Sequence, residues 1–345
     1  MVTQADIAEQ LGVSRAAVSL VLSGKAENGH RVAAELRTRI EVLARNLGYQ
    51  PNVAAQQLKG KPSHVIGVIA NDWFHTVQGR FLGWLNQAAD ERGYKLLTAQ
   101  MRDRPEAMAA FVADFASRGT DGLLYLAVGG YRQWPGVADT LATAPVRNMV
   151  CVMGRPPVPG LRYVDCDLAD GAMQSVAHLL GRGRRRVVLI LGDLDAPENR
   201  ARHAGFVAAH AVAGRPPPDA GQLILAPDAI GDGPWDVFDA CGRLVDRVLA
   251  DGRVDAVLAP DDQAATQLCR HLRRRGARVP DDVAVVGHDN DTASALFDPP
   301  LTTVSYRVRD LAAAALDLLA GVPRPDADAD GGVLVRPALF VREST

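Results

Sequence analysis

The chain has 345 residues, of which 48% are hydrophobic and 23% are charged, close to the composition of ordinary globular proteins. This composition excludes a wholly disordered chain, and the length allows two or three domains of roughly 100–200 residues each. Lys and Arg number 38 against 40 Asp and Glu, so the formal net charge of −2 does not by itself favour a nucleic-acid partner.

The N-terminal sequence predicts two short helices joined by a tight turn. Thr3 begins a capping-box-like sequence for a helix that ends near Leu11, and Gly12 suits its C-terminus. Ser14 is a second N-cap residue type, placed before a helix over 15–22. This spacing is typical of a helix-turn-helix, although an ordinary three-helix bundle is the alternative.

A third helix is predicted from about Val32 to Leu47, where apolar residues recur at helical spacing. A short helix is predicted from Val53 to Leu58, and it is too short to be stable alone. Up to residue 61 the chain holds eight Lys or Arg and five Asp or Glu, a net +3, which leaves −5 for the rest. This asymmetry permits a nucleic-acid partner without establishing one.

Beyond about residue 63, apolar strands alternate with amphipathic helices. Strands are predicted at 64–70, 94–99, 121–126, 146–153, 186–191, 223–225, 256–259 and 283–287. Helices are predicted at 82–92, 106–117, 171–180, 200–213, 235–250 and 264–275. The alternation indicates parallel, doubly wound α/β units. The strands are too many for one small sheet, so we expect two lobes with a ligand cleft at the carboxyl ends of the strands.

No pattern predicts a catalytic residue, a metal site or a cofactor. The sequence has no P-loop, G-x-S-x-G or H-E-x-x-H, no G-x-G-x-x-G after a strand, and no ligand-spaced histidine cluster. Asp165 and Asp167 follow a strand-like stretch, as do Asp193 and Asp195, and we interpret both pairs as loop carboxylates.

The cysteines and the N-terminus indicate a cytoplasmic protein. The four cysteines are far apart and form no Cys-x-x-Cys pair, which suits free thiols better than disulfides or zinc. No apolar run approaches the roughly 20 residues of a membrane span, and the N-terminus has no export-signal pattern.

Several motifs make the sequence similar to the LacI/GalR (lactose repressor) family of transcriptional regulators. They are Ala5-Asp6-Ile7-Ala8, Gly12-Val13-Ser14, Val18-Ser19, Leu22-Ser23-Gly24, and Leu47-Gly48-Tyr49-Gln50-Pro51-Asn52 running into Ala55-Gln56-Gln57-Leu58. The likeness extends through the whole chain to residues 341–345.

The resemblance implies an N-terminal all-α helix-turn-helix head and an α/β two-lobed core, similar to periplasmic binding proteins, with doubly wound parallel sheets. The implied domains are the head at 1–48, a hinge helix and linker at 49–62, and an effector-binding core at 63–345. The first lobe is expected at about 63–165 and 306–325, and the second at about 166–305 and 326–345.

The resemblance also implies that the helix after Ser14 enters the major groove of DNA. Arg15 and Ala16 then stand at base-reading positions, where Arg suits guanine and Ala can only touch a thymine methyl. Leu20, where relatives often have Arg or His, either contacts a thymine methyl or serves in packing. The expected phosphate contacts are Ser14, Ser19, Arg31 and Asn52. In the hinge, Leu58 with Ala55 behind it matches a wedge that kinks the minor groove.

For the cleft, the resemblance implies a set of effector-binding residues. They are Asn71, Trp73, His75, Arg102, Arg202, Asp261, Asp289 and Tyr306. Carboxylates accept hydroxyl hydrogen bonds and Arg donates a fork, so this set suits a small polar effector that is sugar-like or nucleoside-like. Trp73 and Tyr306 have the alternative of core aromatics, and Arg102 that of a surface residue.

The implied function is that of a transcriptional regulator, a repressor, controlled by this effector. A homodimer is expected to bind a pseudo-palindromic operator, with no membrane partner. Two other classes of protein are the alternatives. A periplasmic solute-binding protein is opposed by the missing export signal and the N-terminal module, and a sugar- or nucleoside-modifying enzyme is opposed by the missing catalytic motifs.

Overall fold

The computed structural model divides the chain into two compact units, residues 1–63 and 64–345. The described residues are 2–23, 32–50, 61–71, 76–102, 104–127, 136–146, 148–156, 158–192, 194–216, 218–219, 222–225, 243, 245–250 and 252–345.

The first unit is a three-helix head. Its helices are α1 (Gln4–Leu11), α2 (Arg15–Leu22) and α3 (Ala34–Asn46). Thr3 and Asp6 form a reciprocal capping box, and Gly12 ends α1 in the left-handed region at φ 63°. The buried core of the head is Ile7, Ala8, Val18, Val21, Ile40 and Ala44. The predicted helix-turn-helix is therefore confirmed.

The second unit contains two sheets of six strands each. In chain order the strands are β1 (Val65–Ala70), β2 (Lys95–Gln100), β3 (Gly122–Leu126), β4 (Met149–Val152), β5 (Tyr163–Cys166), β6 (Val187–Leu191), β7 (Leu223–Leu225), β8 (Ala256–Leu258), β9 (Ala284–His288), β10 (Thr302–Ser305), β11 (Val333–Val335) and β12 (Ala338–Phe340). The first sheet has the order β11-β5-β4-β3-β1-β2, and the second has the order β12-β10-β9-β8-β6-β7.

Among the described strands, every pairing is parallel except that of β10 with β12. The helices of this unit are α4 (Thr76–Glu91), α5 (Ala107–Ser117), α6 (Val137–Thr143), α7 (Leu168–Gly181), α8 (Pro197–Val212), α9 (Asp262–Arg274) and α10 (Val308–Leu319). Each sheet has a buried apolar cluster on both faces. This is the doubly wound, two-lobed architecture that the sequence predicts.

The structure differs from the prediction at one lobe boundary. We expected residues 326–345 in the second lobe, but β11 pairs with β5 in the first sheet, with Val333 opposite Val164. A strand of three residues gives no periodic signal, so the sequence pattern could not assign it to a sheet. Helix α10 packs in the core of the first lobe, together with the side chains of β1, β3 and β4.

Helix α4 begins at Thr76, six residues before the predicted start at Leu82. The first turns contain Gly79, a poor helix former, and so give a weak sequence signal. Val77 and Phe81 are fully buried against the lobe core, and this packing outweighs the low propensity. None of the described helices is long and apolar enough to cross a membrane.

Candidate functional site

The residues of α2 predicted to contact DNA share one helix face. They are Arg15, Ala16, Ser19 and Leu20. Arg15 and Ala16 are exposed, whereas Val18 and Val21 on the opposite side are buried in the head core. Successive residues of a helix are about 100° apart, so packing of the two valines in the core directs the four predicted DNA contacts away from it. The face thus offers one cation among small and apolar side chains.

Ser14 caps α2 through its side chain. Its Oγ accepts a hydrogen bond from the backbone N–H of Ala17 at 3.2 Å. Because a hydroxyl that accepts can also donate, this cap is compatible with the predicted phosphate contact. The other predicted DNA contacts, Arg31, Asn52, Ala55 and Leu58, lie outside the described residues.

In the second lobe, Arg202 is held between two elements. Its Nη1 donates to the backbone oxygen of Pro260 at 2.8 Å, and its Nη2 donates to Tyr306 Oη at 3.2 Å. Its Nε is buried and has no hydrogen-bond partner among the described residues. A buried donor of this kind calls for an explanation, and an acceptor supplied by a ligand or water provides one.

The charges around Arg202 are predominantly negative. Burial alone would lower the pKa of Arg202, but Tyr306, Asp289 and Asp261 favour its charged form and raise it. Burial raises the pKa of Asp289 well above its usual value, and nearby carboxylates add to this effect. Burial likewise raises the pKa of the Tyr306 hydroxyl. Arg202 bonds Tyr306 and the carbonyl of Pro260, which precedes Asp261, and the His288 ring, which precedes Asp289, packs against Tyr306, so these residues form one cluster.

Backbone geometry presents the two carboxylates of the cluster. Asp289 directly follows β9 with a left-handed φ of 119°, and Asn290 follows it at φ 52°. Asp261 directly precedes α9, and its Oδ1 accepts from the N–H of Ala264 at 2.6 Å. Both residues lie at the carboxyl ends of parallel strands, the edge where ligands bind in α/β sheets.

In the first lobe, two of the predicted effector contacts are neighbours. Asn71 and Arg102 follow β1 and β2, and the Arg102 N–H donates to the Asn71 carbonyl at 2.9 Å. The Arg102 side chain is exposed, and its backbone is left-handed at φ 52°. Trp73 and His75 lie outside the described residues.

The cluster also contains residues that sequence reasoning missed. His288 stacks edge-on against Tyr306, with ring centroids 4.7 Å apart, and neither ring nitrogen has a hydrogen-bond partner among the described residues. Burial raises the pKa of Asp165, at the end of β5, to about 7. Asp165 lies within β5, so its interpretation as a loop carboxylate is wrong, because so short a strand gives no periodic signal in the sequence.

The arrangement supports binding of a polar ligand. Arg202 offers an N–H donor, the two ring nitrogens of His288 offer a donor and an acceptor, Asp289 offers carboxyl oxygens, and Tyr306 offers an aromatic ring. Within the part of the chain that the structure describes, no group of three or more metal-ligating side chains is placed to hold a metal ion.

Two protein-family models match this chain. Residues 3–52 match the bacterial regulatory proteins of the lacI family, and residues 176–345 match a periplasmic binding protein-like domain. The first match covers the three-helix head, and the second covers most of the second lobe together with α10.

Similar proteins span nearly the whole chain. The transcriptional regulator DegA of Bacillus subtilis is 26% identical over 99% of this chain and 97% of its own length. The lactose operon repressor of Escherichia coli K12 is 28% identical over 100% and 91%. The solved Lac repressor dimer, bound to operator and the anti-inducer ONPF, has a TM-score of 0.78 and 25% identity, and it covers 99% of this chain and 98% of its own. The chain thus combines a helix-turn-helix head that matches the lacI family of bacterial regulatory proteins with a two-lobed core that is similar to periplasmic binding proteins.

Proposed function

We propose that this protein is a transcriptional repressor whose operator binding is controlled by a small polar effector in the cleft of its core. The observation that supports this proposal is that one chain has both an outward-facing side of α2 suited to DNA contact and a polar cluster around Arg202. An isolated solute-binding domain has no use for the α2 face, and an isolated DNA-binding domain has no use for the cluster.

On the DNA side, Arg15 and Ala16 read base edges in the major groove, while Leu20 contacts a thymine methyl or packs. Phosphate contacts come from Ser14, Ser19, Arg31 and Asn52, which fix the register of the head on the duplex. Two heads of a homodimer read the two halves of a pseudo-palindromic operator, as the two-fold symmetry of a dimer requires.

The hinge at residues 49–62 joins the two functions. Leu58, with Ala55 behind it, wedges into the minor groove at the operator centre, at a cost of a few kcal/mol for unstacking a base step. The helix predicted from Val53 to Leu58 is too short to be stable alone. Its folding on DNA can therefore depend on the conformation of the core.

On the effector side, the cluster suits a carbohydrate, with a nucleoside as the alternative. Arg202, Asp261, Asp289 and Tyr306 bind it from the second lobe and the crossing between lobes. Asn71, Trp73, His75 and Arg102 contact it from the first lobe. The effector shifts the DNA-binding equilibrium only by its difference in affinity for the two states.

We also propose that the protein acts in the cytoplasm, at the nucleoid, as a regulator without enzymatic activity. The relatives that it resembles are regulators.

Selection of genomic DNA fragments by the full-length protein tests the DNA-binding half. We expect enrichment of a fragment with two half-sites in inverted order, and random recovery of fragments would contradict it. Titration of D-ribose, lactose and adenosine against the protein–fragment complex then tests the effector half. At least one class of small polar molecule should change the affinity for DNA.

A further inference from the structure

Helix α4 of the first lobe is hydrogen-bonded to the loop that follows β9 in the second lobe. Arg80 Nη1 donates to the backbone carbonyls of Asp289 at 3.0 Å and of Asn290 at 2.7 Å. One turn earlier, the Thr76 hydroxyl donates to Asp291 Oδ2 at 2.8 Å. Arg80 Nη1 also lies 3.7 Å from Asp291 Oδ1. Since positions i and i+4 share a helix face, one face of α4 holds three successive loop residues.

The loop has a backbone that needs such support. Asp289 and Asn290 both have positive φ, at 119° and 52°. Positive φ is unfavourable for residues other than glycine and persists only where the surroundings enforce it. The left-handed turn carries the chain out of β9, and Arg80 supplies a donor to the carbonyls at this turn.

The second lobe fixes the same loop from its other side. The Asp291 N–H donates to Asp262 Oδ2 at 2.8 Å, and Arg342 Nη2 donates to Asn290 Oδ1 at 2.7 Å. The Asp289 N–H still donates to the Val304 carbonyl of β10, at 2.7 Å. The loop is thus bonded to its own lobe on one side and to α4 of the first lobe on the other.

We propose that Thr76 and Arg80 form a latch between the lobes, and that Arg80 is a positioning residue for the effector response. Arg80 holds residues 289–291 in the conformation that presents the Asp289 carboxylate to the cleft. This inference rests on the proposed function, because Asp289 is a proposed effector contact. An effector that displaces Asp289 also displaces the carbonyls that Arg80 holds, so ligand binding and lobe contact act on one loop.

Amide hydrogen exchange of the full-length protein, without DNA or added ligand, tests the latch. In Arg80→Ala we expect the amides of Asn290 and Asp291 to exchange at least about tenfold faster, because the loop opens locally. Arg92→Ala is the matched control. Arg92 follows α4 and pairs with Asp317 of the same lobe at 2.8 Å, so its loss should leave the loop amides unchanged.

Thr76→Val removes the hydroxyl while keeping the shape of the side chain. It provides a second test in case Arg80→Ala unfolds the core. It should also speed exchange of the Asp291 amide. If both variants fold and the amides of Asn290 and Asp291 exchange at the wild-type rate in both, the latch is wrong. If Arg80→Ala does not fold, an unchanged exchange rate of the Asp291 amide in Thr76→Val likewise overturns it. The measurement uses neither operator nor effector, so failure of the latch and failure of the repressor proposal are distinguishable.

Discussion

Asp165 is a carboxyl group whose ionisation opposes folding. Burial raises its pKa to about 7 in the folded chain, above its ordinary value of 3.8, although the N–H of Cys166 and the charge of Arg155 oppose the shift. Between these two pKa values the folded state binds more protons than the unfolded state. This contribution to stability is therefore greatest at low pH and is lost as the pH rises to about 7.

Asp165→Asn should remove this pH dependence. The Asn Oδ1 can still accept from the N–H of Cys166, which donates to Asp165 Oδ1 at 2.8 Å. We expect the variant to gain on the order of 2 kcal/mol at pH 8 and clearly less at pH 5. Thermal unfolding at the two pH values measures the gain. An equal gain at both would show that charge is not the cause.

Arg202→Ala should uncouple the effector from DNA. The substitution removes the donors to Pro260 and Tyr306 and the unpaired Nε, so the proposed ligand loses its central partner. We expect loss of the effector-dependent change in DNA affinity, with affinity in the absence of effector retained. Arg200→Ala is the control, because Arg200 is exposed and bonds the carbonyls of Leu194 and Asp195. Equal loss of the response in both variants would contradict the role of Arg202.

At the scale of elements, α7 and α8 approach at one glycine. An ideal Cβ on Gly205 would lie 2.0 Å from the backbone oxygen of Ala169, which has no freedom to give way. We expect Gly205→Ala to cost about 3 kcal/mol of stability through overpacking. Gly181→Ala is the control, because its Cβ would meet nothing within 4 Å. Its stability should match or exceed that of the wild type, and chemical denaturation measures both. A neutral Gly205→Ala would refute the close approach.

Helix α2 carries a prediction of its own. Arg15→Ala should lower affinity for the selected DNA fragment by about tenfold or more, because a bidentate base contact is worth roughly 1–3 kcal/mol. Arg39→Ala removes the same charge from an exposed position on α3 and should change affinity by less than about threefold. Fluorescence anisotropy measures the affinity of both variants. An equal loss of affinity in the two would show that Arg15 contributes only general electrostatic attraction and contradict its role in reading a base.

The predictability of elements from sequence followed their length and their end signals. The head was predictable because Thr3, Gly12 and Ser14 mark helix ends and the apolar residues keep one period. Long apolar strands such as β1 and β6 were equally clear. The sequence does not predict β5, β10, β11 and β12 as strands, because pairing partners rather than periodicity define them. Length alone does not decide this, because β7 and β8 have three residues each and are predicted from their apolar residues.

The site was predictable where a residue stands in a distinctive motif. Arg202 begins the sequence Arg202-x-x-Gly205-Phe206 and Asp289 stands in Gly287-His288-Asp289-Asn290, and the structure brings the two residues into one cluster. Asp165 and Arg80 have ordinary flanks, and His288 stands beside Asp289 at a position that no motif singles out, so their importance comes from contacts in the folded chain. Such contacts depend on the folded chain, and no local sequence pattern reports them.

For the whole molecule, the formal charge of −2 describes two different parts. The first 61 residues carry +3 and the remainder carries −5. The negative charge belongs to a core in which Asp261, Asp289 and Glu198 surround Arg202, whereas the DNA-binding motif lies in the head. A net charge of +3 on the head is too small to indicate DNA binding by itself. The inference of DNA binding therefore rests on the outward face of α2 and on the family match.

The salt dependence of DNA binding tests the central claim most directly. Phosphate contacts by two heads release condensed counterions, so added salt must weaken the complex steeply. For the full-length protein and its selected fragment, affinity should fall at least about a hundredfold between roughly 50 and 200 mM salt. Binding that is absent for every genomic fragment, or that does not respond to salt, would contradict the account of this protein as an operator-binding repressor.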